Sequence, residues 1–320
     1  MTRTSTLVDL RPGTVDGRSK EFINSTPLLD HPELLRQRGQ EDGYLFFKGL
    51  LPEADVLEVR KDLLSVVDRY GWRKPGQDPL GGEIDLEALN KVPDAEMRDD
   101  IGVSTAAYND VQRLESFHRL PHHNRMKALF RSLFQDEVLV HARHIARMVT
   151  GHRIMVPTPP HQDYPYIQGT SNTWTAWMPL GDCPKSMGGL SVLRGSDRIG
   201  YIPVVPSKGA GGFAVQTCPW ETDWVESDYK VGDVLIFPSH TVHKALRTQH
   251  KEFIRLSLDV RYQALSEPVD PSSLGPHTNL DWEDIYAGWK ADDLKYYWKK
   301  YDLKFSTWNQ NFLKPARRIC

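Results

Sequence analysis

The chain has 320 residues, 39% hydrophobic and 26% charged, with a formal net charge of −2. The length suits one large domain or two small ones, and the near-neutral charge excludes a global basic field for nucleic acid. No apolar run approaches the ~20 residues of a bilayer span, and three scattered cysteines, Cys183, Cys218 and Cys320, argue against a disulfide framework or a structural zinc site.

Met1–Val15 carries Arg and Asp where a secretory leader has an apolar stretch, which predicts a reducing, cytoplasmic setting. Residues 1–30 show no sustained period. Asp30-His31-Pro32 is a helix-start signal, with Asp30 or His31 capping a short helix over about 32–40. Gly43 ends it, and Tyr44–Phe47 reads as a strand. Val56, Val59, Leu63, Leu64 and Val67 recur at helical spacing and predict a helix over about 52–70, stopped by Gly71. Gly76, Pro79, Gly81 and Gly82 then imply a long loop, with short helical patterns at Leu86–Leu89 and Asp94–Arg98. Loops of this length are usually functional or mobile, so 72–118 reads either as a lid over a pocket or as a surface excursion. A further amphipathic helix is predicted over 122–134.

From about 137 the texture becomes β-rich. A strand opens at Val138–Val140 and runs towards Val149. Arg153–Val156, Thr173–Leu180, Leu190–Leu193, Val234–Phe237 and Ile254–Tyr262 follow as short runs divided by Gly, Pro and Asp. That spacing predicts a sandwich or jelly roll, and with the helical N-terminal third an α+β fold. After Pro276, Trp282, Ile285, Tyr286 and Trp289 form one apolar stripe, and Leu294, Tyr297 and Trp298 another. Core packing accounts for both. The basic tail Lys314–Arg318 reads as frayed.

Chemistry concentrates at His161-Gln162-Asp163. In an extended segment His161 and Asp163 point to one side. With one distant imidazole they make a two-His-one-carboxylate triad, which leaves positions open on the metal and suits non-haem Fe(II). Pro157, Pro159 and Pro160 stiffen the approach. His240 and His243 both compete for the third place. His243 is preferred because a strand beginning at Thr241 carries it inward, whereas His240 sits at a connection after Pro238-Ser239. Over Phe253–Val260, Arg255, Ser257 and Asp259 alternate with apolar residues. Either this face is solvated, or Arg255 projects inward and needs an anion, because an unpaired buried guanidinium is costly. Thr173, Thr175 and Trp177 share one side of the strand after the triplet, as a wall for a bound organic acid or as ordinary core. Arg147 is a weaker candidate for a charged contact. His141, His144 and His152 read as structural or surface residues.

At these residues the chain resembles the phytanoyl-CoA dioxygenase family of Fe(II)/2-oxoglutarate oxygenases. The matching text is Pro160-His161-Gln162-Asp163, Thr175-Ala176-Trp177-Met178-Pro179-Leu180, Gly188-Gly189-Leu190-Ser191-Val192-Leu193, Gly195-Ser196, Gly232-Asp233 through His243, and Arg255-x-Ser257. Order and spacing agree over about 138–263, and Asp42-Gly43-Tyr44 before a helix is similar to the family's opening. Where the family often reads Pro-Gly-Ser-His, this chain has Arg194-Gly195-Ser196-Asp197, a departure in a loop that can face substrate.

The resemblance implies a single domain over 1–320: a mostly helical part at 1–136, a double-stranded β-helix (jelly-roll, cupin-like) core at 137–264, and a helical extension at 265–320. It implies that His161, Asp163 and His243 hold Fe(II), that Arg255 with Ser257 grips the distal carboxylate of 2-oxoglutarate, and that Trp177 lines that pocket; Thr175 and Arg147, reached from their strand positions alone, are expected at the same cosubstrate site. The expected activity is O₂-dependent hydroxylation of an unactivated C–H bond in a small molecule, with 2-oxoglutarate converted to succinate and CO₂. Because Asp163 is present, halogenation is not expected. A small biosynthetic metabolite ranks ahead of an acyl-CoA, with no nucleic-acid or membrane partner and no oligomeric state implied. Two other readings remain: a non-catalytic jelly-roll binding protein, disfavoured by the intact four-residue set, and a cupin-like metalloenzyme without 2-oxoglutarate, in which Arg255 faces solvent or the substrate itself.

Overall fold

The computed structural model describes residues 21–218 and 223–315. The leader reading at Met1–Val15, most of the stretch 1–30, Cys320 and all but the first two residues of the basic tail lie outside the described residues. In chain order the elements are α1 (Pro32–Asp42), β1 (Leu45–Phe47), α2 (Glu53–Arg69), α3 (Leu86–Asn90), α4 (Thr105–Gln112), α5 (Glu115–Arg119), α6 (Asn124–Phe134), β2 (Val138–Val140), β3 (Ile145–Val149), α7 (Tyr164–Ile167) and β4 (Trp174–Pro179). There follow β5 (Leu190–Leu193), β6 (Val204–Pro206), β7 (Phe213–Val215), β8 (Trp224–Val225), β9 (Val234–Pro238), β10 (His243–Ala245), β11 (Arg255–Ala264) and α8 (Trp282–Tyr286).

The architecture is α+β with antiparallel sheets. The large sheet runs β1-β9-β4-β11-β2, and β3 also pairs with β11. The small sheet runs β10-β5-β8. It is prolonged by Thr158–His161, which lies between β10 and the β6-β7 ribbon: Ala245 N donates to Thr158 O (3.0 Å), and Val215 N to Pro160 O (2.8 Å). The prolines upstream leave few donors, and the carbonyls accept the ladder bonds. Among the described residues no ladder closes one sheet onto the other.

Periodicity explains the layers. α1 starts with Pro32 at its first position and ends at Gly43, whose φ of +68° suits glycine. α2 buries Val56, Val59, Leu63, Leu64, Val66 and Val67 against the outer face of the large sheet, each such side chain contributing roughly 1.5–3 kcal/mol. β9 is buried on both sides. Val234 and Ile236 join the helix-side core, while Leu235 and Phe237 meet Trp177, Val192, Val225 and Tyr229 between the sheets. All ten residues of β11 are buried. Leu256, Leu258, Val260 and Tyr262 face the helices, with the Tyr262 ring 4.1 Å from Phe130. Arg255, Ser257, Asp259, Arg261 and Gln263 therefore face the other way, into the interior between the sheets.

Three expectations change. Arg153–Val156 is a turn, closed by Met155 N donating to His152 O (3.0 Å) and followed by the φ-locked Pro157. Residues 72–118 are more than a surface excursion, and through Asp99 and Asp100 they also reach the wall of the interior cavity. They contain α4 and α5, and they place Trp72, Ile84, Leu89, Tyr108, Val111 and Phe117 in the principal core. The C-terminal stripes are core, as read, but not long helices: α8 is five residues and Tyr297–Lys300 is a 3-10 turn. Trp282, Tyr286, Trp289 and Trp298 pack there with Leu139 and Val269. No helix among the described residues is long and apolar enough to cross a membrane.

Candidate metal centre

The backbone itself brings the two histidines together. His161 and His243 form an antiparallel bridge, each N–H donating to the other's carbonyl at 3.0 Å, and their rings lie 4.1 Å apart. Asp163 Oδ1 is 3.8 Å from His161 Nε2 and 3.9 Å from His243 Nε2. All three potential ligand atoms lie within 4.8 Å of one another, the only such His/Cys/Asp/Glu group among the described residues. With bonds of about 2 Å to a shared ion, such a set needs little closing to coordinate.

The tautomers suit coordination. His161 Nδ1 lies 2.9 Å from Pro159 O, and His243 Nδ1 lies 3.1 Å from Thr241 O. A carbonyl only accepts, so each Nδ1 carries the proton and each Nε2 presents a lone pair to the centre. Burial, reinforced by the facing His243 ring, pushes His161 down to about 3, and burial lowers His243 as well. Both imidazoles are therefore neutral, as a metal requires. Burial alone would raise the Asp163 carboxyl, but the Arg261 guanidinium foremost, and the Thr175 hydroxyl, hold it well below the usual carboxylate range. Thr175 Oγ1 donates to Asp163 Oδ2 at 2.5 Å and Arg261 Nη2 at 3.2 Å, which leaves Oδ1 for a metal. Gln162 points the opposite way and pins the motif: its Nε2 donates to Gly200 O and His240 O, and its Oε1 accepts from Ile202 N.

A cavity of about 240 Å³ opens on the triad. At its inner wall Arg255 is 5% exposed. Its Nη1 donates to Ser257 Oγ (2.5 Å) and its carbon centre lies 5.6 Å from the Trp177 ring. Its Nε is buried with no partner, and no carboxylate among the described residues pairs with it. Burial lowers its pKa, the mark of a cation held without an anion. A neutral imidazole pair, an ionised carboxylate and an unsatisfied guanidinium thus fit a divalent metal and a dicarboxylate.

Of the residues expected at the site, His161, Asp163, His243, Thr175, Trp177, Arg147 and Arg255 line this cavity, and Ser257 supports Arg255. Two have a different first task from the one expected. Thr175 orients Asp163. Arg147 is paired with Asp259 (2.7 Å) and so is not a free cation for an anion. His240 lies outside the group, its ring 4.3 Å from Tyr164. His141, His144 and His152 are buried, and His152 lines the cavity wall. Arg261 went unnoticed in the sequence, although the alternation through Arg255, Ser257 and Asp259 continues to it.

Residues 39–253 match the family model for phytanoyl-CoA dioxygenase. The 1-deoxypentalenic acid 11-beta-hydroxylases of Streptomyces arenae and Streptomyces exfoliatus are each 25% identical to this chain, over 269 and 268 residues, or 80% of it and 89% of the relative. Among solved structures, the epimerase SnoN in complex with Fe3+, alpha ketoglutarate and nogalamycin RO aligns with a TM-score of 0.53 at 20% identity, over 76% of this chain and 87% of the other, a likeness of fold.

Proposed function

We propose a specific reaction from one premise: the chain belongs to the phytanoyl-CoA dioxygenase family and is an oxygenase that uses iron, 2-oxoglutarate and dioxygen. The reaction is hydroxylation of an unactivated C–H bond in a small organic metabolite. The observation that carries it is the convergence of His161, Asp163 and His243 with an anion-lacking Arg255 in one cavity. In the same reading the two facing sheets are the halves of a double-stranded β-helix, and the protein works in the cytoplasm.

His161 Nε2, His243 Nε2 and Asp163 Oδ1 would hold the metal by one face. When bound, iron with 2-oxoglutarate and dioxygen supplies the oxidising power: the keto acid becomes succinate and CO₂ as one oxygen atom enters the C–H bond. The chain supplies the rest. Arg255, held by Ser257, takes the distal carboxylate two-pronged, and Trp177 walls the same pocket. Thr175 and Arg261 keep Asp163 ionised and turned. Trp177, Leu190 and Phe237 exclude water from the inner end. A binding protein without catalysis gains nothing from an ionised, oriented Asp163, and a metalloenzyme without 2-oxoglutarate leaves Arg255 without a partner.

The test is Fe(II)-dependent conversion of 2-oxoglutarate to succinate without added substrate, abolished in Asp163→Ala. Absence of 2-oxoglutarate binding to the anaerobic Fe(II)-loaded protein refutes the proposal.

A further inference from the structure

A second chamber of about 270 Å³ meets the first at the metal centre. Both are lined by Asp100, Arg147, His161, Asp163 and Arg261. The second lacks His243 and Arg255, so it lies away from the keto-acid grip. Beyond the shared residues it is walled by Arg143, Ser272, Ser273 and His277, and by Ile145, Tyr166 and Ile167.

Its charges do not balance. Arg143, Arg147 and Arg261 line it together with His277, and a fourth guanidinium, Arg98, stands behind them with its Nη1 donating to the His277 carbonyl (3.3 Å). Three of them have aspartate partners: Arg98 with Asp100 (2.6 Å), Arg147 with Asp259 (2.7 Å) and Arg261 with Asp163 (3.2 Å). Arg143 has none among the described residues. Its Nη1 donates to the carbonyl of Pro276 (2.8 Å), which orients the guanidinium without neutralising it. Four positive charges against three negative leave one positive charge in a partly desolvated site, which is unfavourable unless an anion answers it. His277 does not add to the count: its Nδ1 is engaged by the Tyr108 hydroxyl (2.9 Å), and burial and then the arginines hold its ring neutral. Ile145 and Ile167 give the same chamber an apolar side.

We infer that the second chamber binds the substrate through a single carboxylate on Arg143, with Ser273 beside it, and so that the substrate is an amphipathic organic acid whose apolar body passes the metal. This rests on the function proposed above. One uncompensated charge matches a monoanion better than a phosphate dianion, and the experiment separates the two.

The probe is cyclohexanecarboxylate, titrated calorimetrically into anaerobic protein loaded with Fe(II) and saturated with 2-oxoglutarate, so that Arg255 is occupied. Cyclohexanecarboxamide and cyclohexyl phosphate are the comparisons. The acid should bind the native chain roughly 10- to 100-fold tighter than the amide, which loses the charge-assisted bonds. Arg143→Gln should reduce acid affinity to that of the amide, while 2-oxoglutarate affinity stays within about twofold; Arg143→Lys should recover part of the loss. No measurable binding of the acid, equal binding of acid and amide, tighter binding of the phosphate, or acid binding that persists in Arg143→Gln would each overturn the assignment. The last result would move the anion to Arg247 and Lys251 at the mouth of the first cavity. Failure of 2-oxoglutarate to bind would instead overturn the reaction, and the acid–amide comparison then decides the role of Arg143 in the unloaded protein.

Discussion

Replacing Arg255 by Gln should move two observables in opposite directions. The guanidinium is buried, with one hydrogen bond to Ser257 and a bare Nε. If it pairs with a carboxylate of 2-oxoglutarate, removing it leaves that carboxylate desolvated and unpaired, at a cost of about 2–5 kcal/mol, or roughly 30- to several-thousand-fold in Kd. In the unliganded protein the same change removes an uncompensated buried charge, so stability should hold or rise. At a concentration of 100 times the native Kd, 2-oxoglutarate stabilises the native chain by about 2.7 kcal/mol; a hundredfold weaker variant gains only about 0.4 kcal/mol at that concentration. Anaerobic calorimetry of the Fe(II)-loaded proteins gives the first number, and urea unfolding with and without 2-oxoglutarate gives the second. The reasoning is refuted if Arg255→Gln binds the keto acid within about threefold of native, or if the unliganded variant is destabilised as much as its binding is weakened.

Three further outcomes follow from the same geometry. Thr175→Val removes the hydroxyl on Asp163 Oδ2 and should weaken Fe(II) binding about 10- to 100-fold, read by chelator competition, with the circular dichroism spectrum unchanged. Burial pushes His118 and His141 down to about 4 and His144 well below its ordinary value. Such histidines bind protons in the unfolded chain before the folded one, so stability is full above about pH 6.5 and declines as pH falls towards 4, each contributing up to about 1.4 kcal/mol per pH unit. Equal unfolding free energies at pH 7.5 and pH 5 would refute this. Gly102 has φ +111° and a backbone that abuts the Met148 carbonyl. Gly102→Ala should therefore cost more than about 1 kcal/mol, measured by urea denaturation, and a native midpoint would contradict the packing described.

Much of the site was legible because its chemistry is written in short, rigid pieces. His161-Gln162-Asp163 is a triplet that chance often supplies in a chain with twelve histidines, and it stood out through its context; His243 was separable from His240 because Pro238-Ser239 ends one strand before the next begins. The role of Arg255 was not decidable locally. A polar face on a strand is solvated in an open sheet and interior in a covered one, and only the layer β10-β5-β8 settles which. Assuming the polar alternation ended at Asp259 also hid Arg261. The short helical pattern at Leu86–Leu89 is α3, but the helices α4 and α5 beyond it were missed: no sustained period marks them, and the start of α4 rests on Ser104 accepting from Ala107 N. Arg153–Val156 has β-favouring residues, but its backbone bonds close a turn. The second chamber draws on residues from 100 to 277, a set no spacing rule assembles.

The alternation along β11 makes that strand a ruler. From Arg255 to Arg261 it spans about 20 Å at roughly 3.3 Å per residue, and in the function proposed above every interior graduation has a task, as keto-acid clasp, buried ion pair or ligand steering. One inserted or deleted residue would flip the remaining graduations into the greasy layer beneath. Lineages that keep this chemistry while drifting in length should therefore place their gaps elsewhere, for example in the turns after Ala264 that frame the second chamber, and reach new substrates by that route.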